Sequence, residues 1–517
     1  MDTFANAVAY MREHPGTTLI VPKGEYILTG ELARDTQKKV MEGFYGEDLE
    51  RSIFNPQFKY DKGIDLGGLR DCRIEAYGAS FMVDGFMEPV SVTNCENVEI
   101  CGFSIDHMRK PYSRGVVTHE TTDEEGIRTF TITLDDACPI HKDVPPLDLR
   151  CHLYQPETGE TYWDPDCERL ERIDEHHIEL AIDDGRFGVG TQFYAIHTYH
   201  SRPAILIEYS KNIRITDVTI HSQPGMGIVG NRSEDIFIKR LSVVPSNGHH
   251  MSTNTDATHF TSIKGKLVIE DSRFIAQGDD LTNVHAYFHQ IIKRDAPDVC
   301  YLQEKTPDGT HAQTLDYPDV GDTLELTSLD TLQTVDKFTV LDVVPMHEEW
   351  MCKVTLDHPL PQNTHRLVMA DVTRLPEVTV RGCTSKEHYA RGVLIKCRKA
   401  LIENNQFHNV EGSAIAVAAE AGWHEGVCPA NVTIRNNIIS ENRSVEKFAG
   451  IYVRSDCNDP TGQTIRNIVI ENNVINAPRC PYAIQLRNID GVTVRNNVMT
   501  SQEQNVVITD CTNIYTE

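Results

Sequence analysis

No apolar stretch in this 517-residue chain approaches the roughly 20 residues that span a bilayer. The opening segment, Met1 to Arg12, has no basic stretch followed by an apolar core, so it does not read as an export signal. The expected location is cytoplasmic, or secreted or periplasmic if a leader has been removed. Basic residues are few: 49 Lys+Arg stand against 76 Asp+Glu, a formal charge of −27. Phosphate-rich partners are gripped by Lys and Arg, so neither nucleic acid nor an anionic membrane face is an expected partner. The same balance weighs against a polyanionic substrate unless a local basic cleft overrides it. The 14 cysteines are scattered singly from Cys72 to Cys511 with no Cys-x-x-Cys pair. That excludes a disulfide framework and zinc-type spacing, so no metal and no cofactor are expected. They read as reduced, small core residues.

What is present is a recurrent short strand: a polar residue, an apolar one, a polar one, then Ile or Val. Asn97-Val98-Glu99-Ile100, Asn212-Ile213-Arg214-Ile215 and Asn467-Ile468-Val469-Ile470 are examples. Each alternates with period two, as a half-buried strand does. Several are followed by an Asn doublet and a second apolar strand, as in Asn436-Asn437-Ile438-Ile439, Asn472-Asn473-Val474-Ile475 and Asn496-Asn497-Val498-Met499. Uninterrupted steps of about 22 to 36 residues are solenoid coils. Asn tolerates the left-handed conformation of tight turns. The pattern predicts an all-β, right-handed parallel β-helix rather than a β-sandwich, with each coil burying its face against its neighbours.

Two segments break the rhythm. They carry alternating strands such as Thr129–Leu134 and Thr323–Leu326, with punctuation at Pro145-Pro146 and Asp308-Gly309. They read as two small, β-barrel-like domains inserted into turns of the helix. The expected organisation is a cap and first coils over 1–116, an insert over 117–200, central coils over 201–286, a second insert over 287–375, and final coils over 376–517. Phe4, Ala7, Val8 and Met11 at helical spacing, followed by a strand and a Pro-x-Gly turn, suit a cap on the open end.

The chemistry is expected at Asn254-Thr255-Asp256 and Gly278-Asp279-Asp280. Asp256 precedes the doublet by about one coil, so the three acids fall on neighbouring strands roughly 4.8 Å apart and converge on the outer wall. Like charges so close raise one another's pKa and add nothing to stability. They do suit glycoside hydrolysis, where one protonated acid serves the leaving oxygen and ionised partners deprotonate water. Two bases sharing a water and one acid across the bond imply inversion, with carboxyl groups about 6.5–9.5 Å apart. Gly278 is expected to turn the backbone so that the acids leave the wall. A calcium site with a Lys or Arg base, drawn from Lys264, Lys266, Arg391 or Lys396, is the other possibility.

The Asn-Thr-Asp and Asp-Asp elements resemble those of the polygalacturonase-like β-helix glycosidases. The later Gly-His-Gly element is missing, with Asn283-Val284-His285 in that region, and Leu394-Ile395-Lys396 is a loose echo of Arg-Ile-Lys. The fuller resemblance is to glycoside hydrolase family 110, inverting α-1,3-galactosidases, over the cap, the coils, both inserts and the stretch from Gly248-His249-His250 to His285. The resemblance implies exo-acting release of terminal α-galactose, with Asp279 as general acid and Asp256 and Asp280 sharing the base role. The chain is shorter than many members, which leaves room for another terminal α-sugar such as N-acetylgalactosamine.

Sugar-binding candidates are His249, Asn254 and His285 beside the acids, Arg391, Lys396 and Glu420 on the next coils, and Trp423 in a loop, where it could stack on a sugar face. Arg109, Lys110 and Arg114 read as surface charge. The expected partner is an oligosaccharide or glycoconjugate with terminal α-galactose, and side-by-side association of β-helices leaves room for a homo-oligomer. Alternatives are a hydrolase of acidic polysaccharide, an α-N-acetylgalactosaminidase, and a non-catalytic glycan-binding β-helix.

Overall fold

The computed structural model describes residues 2–46, 49–141, 150–163, 165, 169–182, 184–304, 315–443 and 449–517. The turn signals Pro145-Pro146 and Asp308-Gly309 lie outside them.

Period-two strands stack in parallel, residue over residue. Ile213 pairs with Val98 on one side and Ile236 on the other. Val432 pairs with Ala400 and Ile468, and Ile468 with Val492. Among the described residues this builds two long sheets, one of 21 strands from Thr18–Ile20 to Thr512–Thr516, the other of 12 strands, parallel except for the short strand Glu425–Gly426. Their inward residues share one core, which runs from Val8 and Met11 through Ile213, Ile236, Leu267 and Val378 to Val494. The chain is thus a parallel β-helix. The helix Asp2–Glu13 lays Val8 and Met11 into the first coil, and Arg12 Nε donates to the carbonyl of Gly67 (2.7 Å). Cys72, Cys95, Cys383 and Cys397 are small pieces of the same core.

The Asn doublets do two jobs. The first Asn of each adopts the left-handed conformation: Asn404, Asn436, Asn472 and Asn496 have φ between 53° and 57°. The second points inward and joins a ladder. Asn405 N–H donates to Asn437 Oδ1 (3.0 Å), Asn437 N–H to Asn473 Oδ1 (2.9 Å), and Asn473 N–H to Asn497 Oδ1 (2.9 Å). Each side-chain amide also donates to a carbonyl of the preceding coil, as Asn437 Nδ2 does to Ile402 (3.0 Å). The ladder satisfies backbone groups that the tight turn takes out of the sheets, where an orphan would cost about 1–3 kcal/mol.

Between coils the chain leaves twice. Residues from Tyr112–Thr122 to Gln192–Ile196 form a seven-stranded antiparallel sheet with its own core of Phe130, Ile132, Leu153, Leu180 and Phe193. Residues from His289–Ala296 to Leu367–Asp371 close a six-stranded barrel around Cys300, Leu324, Phe338 and Val354. Neither excursion disturbs the stacking: Thr282, before the barrel, pairs directly with Val393, after it. The first insert lies along the coils. Buried Tyr112, Tyr194 and Tyr199 pack with Met251 and Tyr389, and Arg443 reaches Thr161 Oγ1 (2.7 Å) and the Glu160 carboxylate.

Asn437→Ala removes the middle of the ladder and is expected to cost at least about 2 kcal/mol in urea unfolding. Asn436→Gly, which keeps the left-handed turn, is expected to cost a few tenths at most.

Candidate active site

Three residues stand two positions ahead of consecutive strands in the 12-stranded sheet. Asp256 precedes Thr258–Thr261, Asp280 precedes Thr282–Tyr287 and Arg391 precedes Val393–Ile395. Because Thr258, Thr282 and Val393 pair in register, the three form a column. Side chains lock it: Asp280 N–H donates to Asp256 Oδ1 and Arg391 N–H to Asp280 Oδ1, both at 3.0 Å. Asp279 stands beside the column. One carboxylate oxygen from each of Asp256, Asp279 and Asp280 lies within 4.8 Å of the other two.

Three expectations are corrected here. The acids are sunk into the wall, with Asp256 5% and Asp280 1% exposed, packed against His259 and Arg391 of the coils. They also stand closer than the 6.5–9.5 Å expected, since adjacent rungs set their separation. Gly278 has another purpose than the one expected. It is absent from the left-handed residues, but a Cβ there would stand 2.1 Å from the Asn254 carbonyl and 2.8 Å from Met251 Cε. Glycine lets two rungs approach under the acids.

The three carboxylates have different partners. Arg391 grips Asp280 with Nε to Oδ1 and Nη2 to Oδ2, each at 3.0 Å. Asp256 Oδ2 lies 2.6 Å from His259 Nδ1. Asp279 forms no ion pair among the described residues; its Oδ2 accepts from Tyr199 OH. Tyr199 in turn accepts from Trp163 Nε1 (3.1 Å), and Trp163 N–H donates to Glu411 Oε1 (2.9 Å). Asp279 is therefore aimed by the first insert, Asp280 by the next coil. Burial, with the charge of Asp256 added, pushes the Asp279 carboxyl up to about 6. Burial also pushes Asp280 up to about 7, against the pull of Arg391. Asp256 is raised by burial and drawn back by His259.

The charge network continues along the wall. Arg391 Nη1 donates to Glu420 Oε1 (2.7 Å). Lys396, fully buried, pairs with Glu420 (2.8 Å) and Glu425 (2.7 Å) and donates to Asn283 Oδ1 (3.0 Å). His285 Nε2 stands 3.7 Å from Glu425 and 2.9 Å from His259 Nε2, which closes a ring back to Asp256. Five carboxylates thus face two permanent cations. The acid trio could hold a cation, but Arg391 already engages both oxygens of Asp280. Lys264 and Lys266 are exposed on a strand of the other sheet, so a lyase-type base does not come from them.

Of the residues expected to bind substrate, Arg391, Lys396, Glu420 and His285 join the network around the acids. Asn254 does not: its fully buried amide donates to the carbonyls of Thr198 (2.8 Å) and Pro111 (3.3 Å) and ties both ends of the first insert to the coil. The hydrogen bond of His249 runs to Tyr112 OH (2.9 Å), at the root of that insert. Trp423 is 55% exposed at the tip of the hairpin between Glu420 and Glu425. Lys110 is not surface charge; it is buried, with Nζ on Asp106 and on Ser246 Oγ (2.8 Å). Tyr199, Trp163, Glu411, His259 and Glu425 were not foreseen. Only His259 left a signal, as an outward-facing position of the strand just after Asp256.

Residues 372–463 match the family described as right handed beta helix region. The chain is 25% identical over 541 residues to Alpha-1,3-galactosidase B of Bacteroides thetaiotaomicron, covering 96% of this chain and 84% of that protein. It is 25% identical over 517 residues to Alpha-1,3-galactosidase A of Bacteroides fragilis, covering 94% and 82%. The resemblance seen in the motifs extends along nearly the whole chain. Among solved structures, a hyperthermoactive exopolygalacturonase from Thermotoga maritima aligns over all of this chain and 87% of its own, with TM-score 0.41 and 11% identity.

Lys396→Met takes the buried cation from Glu425 and leaves Glu420 with Arg391 alone, and is expected to destabilise by about 3–5 kcal/mol in denaturant melts. Asp279→Asn is expected to do the reverse. A carboxyl whose folded pKa is about 6 binds protons more tightly folded than unfolded, so its ionisation destabilises as pH rises from about 4 to 6. Above pH 6 the Asn variant should melt higher than the parent, by on the order of 2 kcal/mol. Below about pH 4 the difference should vanish.

Proposed function

We propose that the protein is an exo-acting, inverting glycoside hydrolase that removes terminal α-linked galactose, with Asp279 as general acid and Asp256 and Asp280 as the base pair. The observation that carries this reading is the unequal treatment of three adjacent carboxylates. Asp279 forms no ion pair among the described residues, is half-buried and accepts from the Tyr199 hydroxyl. With its carboxyl raised by burial and no cation bound to its anion, it suits the general acid, whereas the bidentate grip of Arg391 on Asp280 requires a carboxylate there. Asp256 and Asp280 are held by His259, Arg391 and backbone N–H groups. Carboxylates whose oxygens are all engaged are poor nucleophiles but can orient a water between them. That favours single displacement.

The galactose assignment is supported by the relatives named Alpha-1,3-galactosidase. Exo action is supported by the walls. Tyr199 and His200 of the first insert stand at Asp279, with His200 Nδ1 3.0 Å from Glu50. The Trp423 hairpin rises beside Glu420 and Glu425. An acidic polysaccharide is disfavoured, because Arg391 and Lys396 are already neutralised by Asp280, Glu420 and Glu425.

The decisive experiment is a screen on nitrophenyl α-galactoside, α-N-acetylgalactosaminide and galacturonide, with proton NMR of the first product. The expected outcome is galactose released as the β-anomer. α-Anomer at early times would overturn inversion, and turnover of galacturonide alone would overturn the substrate. Asp256→Asn, Asp279→Asn and Asp280→Asn should each lower kcat/KM by about 10²-fold or more with folding intact. In the parent enzyme kcat/KM should fall as pH rises past about 6, where Asp279 loses its proton.

A further inference from the structure

Three hydrogen bonds run in series away from Asp256. His259 Nδ1 lies 2.6 Å from Asp256 Oδ2, His259 Nε2 lies 2.9 Å from His285 Nε2, and His285 Nδ1 lies 3.1 Å from the carbonyl of Ala286. A carbonyl only accepts, so His285 Nδ1 carries a proton. The two facing Nε2 atoms need one proton between them, and the contact with Asp256 needs another. Three contacts therefore require three protons, while two neutral imidazoles bring only two.

Resting on the base role proposed above for Asp256, we infer that His259 is its positioning residue, and that Asp256, His259 and His285 together hold one proton more than a carboxylate and two neutral imidazoles.

The surroundings say where that proton belongs. The imidazole pair lies between two carboxylates, Asp256 on one side and Glu425 on the other, 3.7 Å from His285 Nε2. Lys396 is held by Glu425 and Glu420 and Arg391 by Asp280 and Glu420, so neither cation is left to repel the pair. The ring of Tyr287 meets His285 edge-on at 4.9 Å. Asp279 and Asp280 lie within 4.8 Å of Asp256 and favour positive charge close by. The extra proton thus sits on the imidazoles and leaves Asp256 ionised, as a base must be. Geometry adds a second effect. With Oδ1 fixed by the Asp280 N–H and Oδ2 by His259, the plane of the Asp256 carboxylate is set, and its remaining lone pairs are aimed rather than free to rotate. His285, fully buried and anchored on its own backbone neighbour, keeps the His259 ring from turning.

The test uses the full chain and nitrophenyl α-galactoside. His259→Ala is expected to lower kcat on the order of tenfold or more with KM nearly unchanged. The acidic limb of the kcat/KM profile should move up by about one pH unit, because Asp256 loses a neighbouring positive charge. His259→Gln, which can return an N–H to Asp256 without charge, should regain part of kcat but keep the displaced limb. A merely structural role would not separate those two effects. Nitrogen NMR of histidine-labelled protein at neutral pH gives a readout apart from activity: it should show the extra imidazole proton in the parent and its loss in Asp256→Asn. Two neutral rings in the parent, or an unmoved acidic limb in His259→Ala, would overturn the inference. A parent protein that cleaves no α-galactoside would sink the functional reading separately, and the proton count would then be decided by NMR alone.

Discussion

The stacking of Thr258, Thr282 and Val393 in one register underlies everything at the site. A parallel ladder fixes the rise between rungs to about 4.8 Å. Any residues at equal offsets from those three are therefore placed within reach of one another, whatever the chain does between them. Asp256, Asp280 and Arg391 share that offset, and each acid accepts the backbone N–H of the next. The acids are thus positioned by the same repetitive hydrogen bonding that builds the solenoid. Gly278 serves that approach by leaving room where a Cβ would meet the Asn254 carbonyl.

The arrangement works against stability. Buried like charges are costly, and the wall holds more carboxylates than Arg391 and Lys396 can neutralise. The compensation is uneven: Asp280 and Glu420 share Arg391, Glu420 and Glu425 share Lys396, and Asp279 is left with a tyrosine hydroxyl. Unequal surroundings make the three carboxyl groups chemically distinct: Asp280 is locked by a guanidinium and Asp256 by an imidazole, while Asp279 meets only a hydroxyl among the described ion-pair and hydrogen-bond partners. The imidazole pair extends the same logic on the far side of Asp256.

Much of this was legible in the chain because a solenoid is local. The period-two strands and Asn doublets gave the β-helix, and the one-coil step brought Asp256 to Asp279 and Asp280. The doublets were read as turns only. Their second member is a ladder rung, and nothing in a single Asn distinguishes a turn residue from an inward hydrogen-bond donor. Arg391, Lys396 and Glu420 could be placed on nearby coils but not in register, since the barrel hides the true step. Tyr199 and Trp163 were beyond reach, because the docking of the first insert depends on non-periodic contacts such as Tyr112–Tyr194 and Arg443–Thr161. The contacts of Asn254 were beyond reach for the same reason: its Nδ2 donates to two carbonyls of the insert's ends.

The barrel between Asp280 and Arg391 has a consequence for how the molecule is made. These two residues touch, yet are 111 positions apart, whereas Asp256 and Asp280 are 24 apart. A chain synthesised from its N-terminus holds both aspartates well before the guanidinium that balances them exists. The acidic half of the cleft is available early to a nascent chain, and its counter-ion comes only after the barrel has been translated.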